Sequence, residues 1–533
     1  MKNSSRFLFP FTAAVLVLGG EARTQLQGPS ANVAPYILPS LPGVTTVSVF
    51  TVGQSVNNKP NGTPYRMVGI NDGLGLLDNG DNTFTLFMNH EIAPTSGTPR
   101  AHHGSDTSGR GAFVSAWTIV GAGHPTLAPL TVLQGRDLIQ TVRIFDVPTG
   151  MYRAPAVNPT PGAGEDDFNR FCSADLPAAS AFSFNGLGTT ARIYMNGEEF
   201  QPIGRAFGHV VTGTNAGTSY ELPRLGKASW ENAVANPFPQ AQTLVMLQDD
   251  QSATTGGQVY MYVGTKLDPG ANPGANPVEL AGLNNGLLYG IKVEGVANEG
   301  ASGIPSGTPF TLAGLGDVTA TPGALLEAQS IALEITNFAR PEDGAWDPSN
   351  LNHYYFASTG QQSSGATVAT RLWRLNFTDK TNPLLGGTID MLLDGTEGIT
   401  NLDNLTIDQF GRVLLQEDPG GNAALARIFS YDIASDSLIE LTLANPDFFQ
   451  AGGAQFQTVD EETSGIIDAS AVLGPGWFLA NAQSHLANPD GELVEFGQLV
   501  AIQVPEPGSA ILAGIGGLLA LGVRLLHWRG HTR

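Results

Sequence analysis

The chain has 533 residues, and acidic residues outnumber basic ones by 48 to 26, which gives a formal net charge of −22. This charge argues against nucleic acids and anionic membrane surfaces as partners, because both require basic patches. With 66 glycines, 35 prolines and one cysteine, the composition predicts many turns between short strands and excludes an intramolecular disulfide.

Residues 1–22 have the layout of a secretory signal peptide. Lys2 and Arg6 precede an apolar run from Phe7 to Leu18, and small residues around Ala22 suit cleavage. The alternative is a buried first helix. The signal peptide predicts a protein exported from its cell, with a folded body that begins near residue 23.

Strand signals recur from residue 23 to 503, separated by clusters of glycine, proline and asparagine. The clearest predicted strands are Thr45–Val52, Thr141–Phe145, Gln258–Val263, Leu287–Val293, His353–Ser358 and Arg371–Asn376. Only two weak helical segments stand out, Ala228–Ala235 and Ala324–Ile335. No change of composition divides this body, so we expect one all-β domain at 23–503.

A pattern recurs along this body, in which an apolar run ends in an amide residue and then acid. Four runs follow it closely, a fifth follows it loosely, and a sixth ends in histidine. They are Phe84–Glu91, Ile193–Glu199, Leu244–Asp250, Val413–Asp418, Ile331–Asp343 and Trp477–His485. Six strand ends of one type predict a six-bladed β-propeller with insertions, in which each blade offers one strand to a central channel. The alternative is a pair of β-sandwiches with scattered surface acids.

Strand ends that converge in a channel bring their carboxylates together, and these repel one another unless cations hold them. Ca²⁺ is the first candidate, because it binds carboxylate and amide oxygens. The candidate ligands from the strand ends and from the segment Asp403–Arg412 are Glu91, Glu198, Glu199, Asp249, Glu342, Asp343, Asp403, Asn404, Glu417, Asp418 and His485, with Asn89, Asn196, Gln248 and Gln416 as neutral donors. Neighbouring residues on a strand point to opposite faces, so one acid of each adjacent pair is the expected ligand. The pattern leaves open which one.

Arg340 lies two residues before Glu342, so both side chains leave an extended backbone on the same face. An arginine beside metal-bound carboxylates can clamp a phosphate, because its fork binds two oxygens at once. Arg340 is therefore the candidate catalytic residue. The alternative is a purely structural ion pair.

The last segment, residues 504–533, has the layout of a sorting tail. Val504-Pro-Glu-Pro507 precedes an apolar run from Ala510 to Val523 and the basic residues Arg524 and Arg529. It resembles the PEP-CTERM tail of Gram-negative bacteria. The resemblance implies an exosortase-type sorting machinery as partner, transient membrane insertion through a C-terminal apolar helix, and cleavage near the Pro-Glu-Pro. The expected location is the periplasm, outer surface or extracellular matrix, with an inner-membrane-anchored precursor. The alternative is a plain C-terminal anchor.

The motifs of the body together resemble the PhoX-type alkaline phosphatase family. The motifs that carry the resemblance are Asn89-His-Glu91, Cys172-Ser-Ala-Asp175, Gly197-Glu-Glu199, Arg340-Pro-Glu-Asp-Gly344 with Trp346-Asp-Pro348, Asp403-Asn-Leu405 and Gln416-Glu-Asp418. The resemblance implies a six-bladed propeller whose channel holds Ca²⁺ and a pair of irons. By motif position it makes Cys172 the iron-binding thiolate, makes Glu91, Glu198, Glu342 and Asp418 metal ligands, and places Arg340 on the substrate phosphate.

The resemblance implies an exported, metal-dependent phosphoesterase that acts on a phosphorylated small molecule. Two other functions stay open on sequence. One is a Ca²⁺-stabilised surface propeller that binds polysaccharide or matrix without turnover. The other is a Ca²⁺-dependent lactonase of the same architecture, which would use the acids and not Cys172.

Overall fold

The computed structural model describes residues 24–251, 257–363, 366–421 and 424–506. The predicted signal peptide and the apolar part of the predicted sorting tail lie outside these ranges. Within them, no helix is long and apolar enough to cross a membrane.

The described secondary structure is mostly β. The strands up to residue 210 are β1 (Thr24–Gln27), β2 (Ile37–Pro39), β3 (Thr45–Thr51), β4 (Ser55–Asn58), β5 (Pro64–Arg66), β6 (Asn71–Asp78), β7 (Thr83–His90), β8 (Phe113–Val120), β9 (Val132–Asp137), β10 (Thr141–Asp146), β11 (Met151–Arg153), β12 (Phe171–Asp175), β13 (Ser183–Phe184), β14 (Leu187–Gly188) and β15 (Ile193–Val210). Those up to residue 377 are β16 (Thr218–Glu221), β17 (Lys227–Ala235), β18 (Gln242–Asp249), β19 (Gly257–Thr265), β20 (Leu287–Val293), β21 (Thr308–Gly316), β22 (Asn337–Phe338), β23 (Pro341–Trp346), β24 (His353–Ser358), β25 (Gln361–Ser363), β26 (Ala366–Val368) and β27 (Arg371–Phe377). The last are β28 (Gly387–Leu393), β29 (Leu402–Ile407), β30 (Arg412–Glu417), β31 (Arg427–Asp432), β32 (Ser437–Ala444), β33 (Glu462–Asp468), β34 (Trp477–Ala487) and β35 (Glu495–Gln503). The α-helices are α1 (Pro277–Leu280), α2 (Gly323–Ala332), α3 (Pro446–Phe449) and α4 (Ser470–Leu473), and short 3₁₀ turns cover Ala101–His103, Ala179–Ala181, Pro223–Leu225 and Pro383–Leu385.

Strand pairing arranges the chain into six consecutive groups, which we call units 1 to 6. Unit 1 is β6–β9; unit 2 is β12, β15, β16, β10 and β11; unit 3 is β17–β21; unit 4 is β23, β24, β27 and β28; unit 5 is β29–β32 with β2; and unit 6 is β33–β35 with β3 and β1. Units 2 to 4 form one continuous sheet of 15 strands, because β15 pairs with β17 and β21 pairs with β28. β22 also pairs with β19, and the pairs β4–β5, β13–β14 and β25–β26 are short hairpins.

One end strand of each unit lies innermost, and we call these six the inner strands: β6, β12, β17, β23, β29 and β33. The strand that pairs with each inner strand is the second strand of its unit: β7, β15, β18, β24, β30 and β34. Each inner strand contacts the inner strand of the next unit, and β33 of unit 6 contacts β6 of unit 1. The chain therefore brings together six strands that are far apart in sequence.

The hydrophobic core consists of clusters that each join two successive units. In order, they contain Phe87 with Tyr194, Met195 with Trp230, Met246 with Phe356, Tyr355 with Leu415, Leu414 with Phe478, and Leu479 with Leu86. Adjacent residues of one strand, such as Tyr355 and Phe356, enter opposite clusters because side chains alternate along a strand. This alternation explains why the second strand of each unit is a continuous apolar run.

Buried amides at the ends of these runs link neighbouring units. Asn89 of unit 1 donates to the Cys172 carbonyl of unit 2 at 2.7 Å, and Gln416 of unit 5 donates to the Ser464 carbonyl of unit 6 at 3.1 Å. Gln248 of unit 3 likewise donates to the Tyr354 hydroxyl of unit 4, and Asn481 of unit 6 donates to the Asp72 carbonyl of unit 1. The amides of the repeated pattern thus fix one unit against the next.

The six clearest predicted strands are confirmed: β3, β10, β19, β20, β24 and β27 cover them to within a residue or two. The second weak helical segment is confirmed by α2. The first is wrong, because Ala228–Ala235 lies in β17, which is buried along almost its whole length and pairs on both sides. Burial between two strands overrides the helical preference of its alanines.

The fifth, loose run also differs from the prediction. Ile331–Asp343 is the end of α2 followed by β22 and the start of β23, and β24 is the second strand of unit 4. Glu342 therefore belongs to an inner strand.

We expect Asn481→Ala to lower the free energy of unfolding by about 1–3 kcal/mol, because it leaves the buried Asp72 carbonyl without its donor. Asn58→Ala, at an exposed position of β4, is the matched control and should change stability by less than about 0.5 kcal/mol. Urea unfolding at fixed Ca²⁺ measures both. Equal effects of the two substitutions would show that the inter-unit amide does not stabilise the fold.

Candidate metal centre

Each inner strand places one potential metal ligand at one end of the inner-strand assembly. In unit order these are Asp72, Cys172, Glu231, Glu342, Asp403 and Glu462. The second strands and the residues just after them add Glu91, Glu199, Asp250, Thr359 and Asp418 to the same cavity. Its wall is completed by Arg170 and Arg340.

Backbone irregularities next to these ligands recur from unit to unit. In five inner strands the pairing register shifts across the ligand itself, for example between Pro341 and Gly344 around Glu342. Such a bulge turns two neighbouring side chains away from regular alternation. The residue two positions before the ligand has a left-handed backbone in four units: Ile70, Arg170, Arg340 and Asn401, with φ of 47°, 38°, 58° and 48°.

Three groups of side chains have ligand atoms that lie within 4.8 Å of one another. They are Asp72, Glu91 and Cys172; Cys172, Glu199 and Glu231; and Glu231, Glu342 and Asp403. The groups share Cys172 and Glu231, so they form a row across the cavity. Carboxylate oxygens suit Ca²⁺, and the thiol, once deprotonated, suits a softer transition metal.

The cavity has a volume of about 60 Å³. One water-sized sphere needs roughly 10–15 Å³, so the cavity has room for a handful of ions or water molecules and for no organic molecule. Its size and its ligand atoms both fit a small group of cations.

Without cations, the carboxylates of the cavity destabilise each other's charged forms. Burial first, and then nearby Glu462, raise the pKa of Asp418 to about 6. Burial also raises the pKa of Glu199 to about 8, and burial and the neighbouring Asp250 raise the pKa of Glu342. The Cys172 thiol donates to Glu199 at 3.0 Å, and burial and that carboxylate raise its pKa.

Two arginines lie at the solvent side of the cavity. Arg170 binds Glu91 and Glu199, and Arg340 donates to both oxygens of Asp250 at 2.9 and 2.8 Å. The side chain of Arg170 is 44% exposed and that of Arg340 35%, whereas the Asp250 side chain is only 5% exposed. Among the described residues, nine carboxylates therefore line the cavity with two guanidinium groups at its mouth.

His485 supports the cavity from outside. It contacts Glu462 at 3.1 Å and Glu495 at 3.2 Å. Burial opposes its charge, but these two carboxylates raise the pKa of His485 to about 11. Burial likewise works against ionisation of Glu462, and the contact with His485 outweighs it and lowers that pKa.

The predicted site residues fall into two sets. Seven of them line the cavity: Glu91, Cys172, Glu199, Arg340, Glu342, Asp403 and Asp418. Six do not line it: Glu198, Asp249, Asp343, Asn404, Glu417 and His485. Asn404 links Ser173 to the backbone of Gly465, and Asp343 accepts from Asn232 and Leu405.

In each adjacent acid pair, the acid that does not line the cavity is bound by another group of the protein. Glu198 is bound by Arg205 and Glu417 by Arg427. Asp249 accepts from the Ser229 backbone at 2.9 Å. These three acids are buried.

Sequence reasoning missed five residues of the cavity: Asp72, Arg170, Glu231, Thr359 and Glu462. It named Asp249 and left open the choice between Asp249 and Asp250, and Asp250 is the member that lines the cavity. A weak signal exists for Asp72 and Glu231, where the acid precedes a small or amide residue and then an apolar one, but not for Glu462, which Thr463 and Ser464 follow. Asp72-Gly-Leu, Glu231-Asn-Ala and Asp403-Asn-Leu share this form. Asp250 lies two residues after the amide Gln248, as Glu91 does after Asn89 and Asp418 after Gln416.

The chain matches no model of a protein family and no curated protein sequence. Among solved structures it resembles PhoX of Pseudomonas fluorescens, solved in complex with vanadate, a transition state analogue. The TM-score is 0.61 at 14% sequence identity, and the match covers 87% of this chain and 96% of that one. The chain therefore has the mostly β, propeller-like fold of the PhoX alkaline phosphatase, which confirms the expected structural resemblance.

Two further solved structures are similar only at a low level. A gluconolactonase of Xanthomonas campestris has a TM-score of 0.29 at 10% identity, covering 82% of this chain and 97% of that one. An α-L-arabinofuranosidase of Podospora anserina has a TM-score of 0.30 at 10% identity, and the match covers 86% of this chain and 98% of that one.

Stability in chelator should fall as the pH rises. The raised pKa values of Asp418 and Glu199, about 6 and 8, exceed the usual values of roughly 4 in an unfolded chain. Their stabilising contribution is complete below pH 4 and is lost as the pH rises through 6 and 8. Thermal unfolding between pH 5 and 9 should show this loss, and Ca²⁺ should reverse it because cations bind the ionised form.

Asp418→Asn removes one of the repelling charges. It should stabilise the chelated protein on the order of 2 kcal/mol at pH 8. Asp78→Asn, at an exposed acid, is the matched control and should have little effect. A chelated protein whose stability does not vary from pH 5 to 9 would contradict the electrostatic description of the cavity.

Proposed function

We propose that this protein is a metal-dependent phosphoesterase built on a closed six-bladed propeller. The closure is supported by the contact of β33 with β6 and by the hydrophobic cluster that joins unit 6 to unit 1. The observation that carries the function is the cavity itself, in which nine carboxylates and a thiol surround a space the size of a few ions or water molecules, with two arginines at its mouth.

The bound metals we propose are Ca²⁺ and iron. Glu231, Glu342 and Asp403 would hold Ca²⁺, since all their donor atoms are hard oxygens. Cys172 belongs to both other groups, so its thiolate would contact iron. When bound, these cations polarise phosphoryl oxygens and lower the pKa of a coordinated water.

The arginines would bind the phosphate of a monoester or diester. Arg340 and Arg170 present planar guanidinium groups at the solvent side of the cavity, where they can pair with phosphoryl oxygens. In hydrolysis a water oxygen forms a bond to phosphorus, the bond to the ester oxygen breaks, and the alcohol leaves with a proton. The guanidinium groups would stabilise the charge that develops on the phosphoryl oxygens.

Arg340→Ala should lower kcat/KM for a simple phosphate monoester on the order of 100-fold at alkaline pH with Ca²⁺ and iron supplied. The metal content should not fall, because arginine has no lone pair to offer a cation. Arg374→Ala is the matched control, since Arg374 pairs with Asp390 away from the cavity. Metal analysis alongside the kinetics separates a substrate-binding role from a structural one.

Cys172→Ser should lose iron and activity together, because a neutral hydroxyl replaces a thiolate poorly. Elemental analysis and the absorption of the iron–thiolate bond measure the loss of iron, and monoester hydrolysis measures the loss of activity. A fully metallated wild-type protein without activity on monoesters and diesters would instead favour the non-catalytic propeller that binds polysaccharide or matrix.

We also propose that the protein is exported from a Gram-negative bacterium and sorted through its C-terminal segment by an exosortase-type machinery. Residues 504 and 505 belong structurally to the body: Val504 is buried and bonded to Gly476, and Pro505 accepts from Arg412. Deletion of 507–533 should therefore leave a soluble, folded, exported protein that is no longer retained at the cell surface. Fractionation and a melting curve measure this, and failure to fold would show that the segment belongs to the domain.

A further inference from the structure

A second, larger cavity adjoins the metal cavity. Its volume is about 540 Å³, which is within the usual range for binding an organic ligand. Glu199 lines the metal cavity and the next residue, Phe200, lines the larger one. In the same way, Arg170 lines the metal cavity and the preceding residue, Asn169, lines the larger one. Successive Cα atoms are about 3.8 Å apart, and the Glu199 amide donates to the Arg170 carbonyl at 2.9 Å, so the two cavities share a rim at these residues. The Arg170 and Phe200 side chains are both 44% exposed there, so a ligand bound by Arg170 can extend over the rim to Phe200.

Ion pairs balance much of the charge on the wall of this larger cavity. Arg205 binds Glu198 at 2.7 Å, and Arg153 binds Glu165 through both guanidinium nitrogens. These four charges already have partners, so the apolar side chains and Lys227 are the parts of the wall that a ligand can contact.

The apolar side chains are exposed at the mouth of the cavity. β15 leaves its pairing with β17 between Glu199 and Gly204, and the intervening segment presents Phe200 and Ile203 at 44% and 56% exposure. Val147, which also lines the cavity, is 46% exposed. Large apolar side chains grouped at a concave site typically mark a place where a ligand binds.

The metal cavity has no room for the organic part of an ester, so that part must lie outside it. We propose that the larger cavity binds the alcohol part of the substrate and selects esters in which this part carries an aromatic ring or a similar apolar group. Phe200 and Ile203 are its specificity-determining residues. This inference rests on the proposed phosphoesterase function.

The test compares 2-phenylethyl phosphate with ethyl phosphate, whose alcohols are of similar acidity, so that chemistry at phosphorus is comparable. The wild-type protein should have the higher kcat/KM for the phenylethyl ester, mainly through a lower KM. Phe200→Ala and Ile203→Ser should each reduce the ratio of the two kcat/KM values about tenfold, as expected when an apolar contact is lost. Phe456→Ala and Ile439→Ser, at 46% and 47% exposure, are the matched controls and should keep the ratio.

A wild-type protein without preference for the phenylethyl ester, or a ratio that survives Phe200→Ala, overturns the inference while the phosphoesterase function stands. If the wild-type protein hydrolyses no phosphoester, the proposed function fails. Binding of 2-phenylethanol, measured by saturation-transfer NMR, then shows whether the larger cavity is a site for apolar ligands. Binding that is lost in Phe200→Ala supports an apolar ligand site. The absence of binding to the wild-type protein excludes it.

Discussion

Repulsion among buried carboxylates is the constraint on which this structure depends. Nine of them line a space of about 60 Å³, and only two guanidinium groups offset their charge among the residues that the structure describes. Two other acids of the pattern are balanced by arginines within the chain, Glu198 by Arg205 and Glu417 by Arg427. The fold therefore pairs some of its acids with arginines and leaves the cavity with an excess of carboxylates, which bound cations would offset.

The rest of the architecture confines this repulsion to one end of the inner strands. Six hydrophobic clusters hold successive units together, and buried amides such as Asn89 and Gln416 add directional bonds between them. None of these contacts involves a carboxylate of the cavity. A scaffold held by apolar contacts and neutral hydrogen bonds can tolerate an unfavourable charge cluster, provided that its other contacts outweigh the cost.

The sequence predicted the repeated second strands well, because their apolar runs are long and end in the same way. It left the choice within each acid pair open, since that choice depends on which arginine or backbone amide lies nearby. Asp250 lines the cavity and Asp249 does not, because Asp249 accepts from Ser229, a residue of another strand. Asp72 and Glu231 were missed because they lie inside β6 and β17, whereas the repeated pattern places the acid at the end of an apolar run.

Arg340 shows how cations and substrate would be coupled. Its Nε and Nη2 atoms donate to both oxygens of Asp250, and Nη2 also lies 3.0 Å from Glu342. These are the same donors that a phosphate would use, so in the cation-free protein the carboxylates compete with the substrate. Cations bound by the carboxylates reduce their attraction for the guanidinium group and leave its donors free. Under the proposed function, metal binding thus prepares Arg340 for phosphate through the charge of Asp250 and Glu342, without a change of fold.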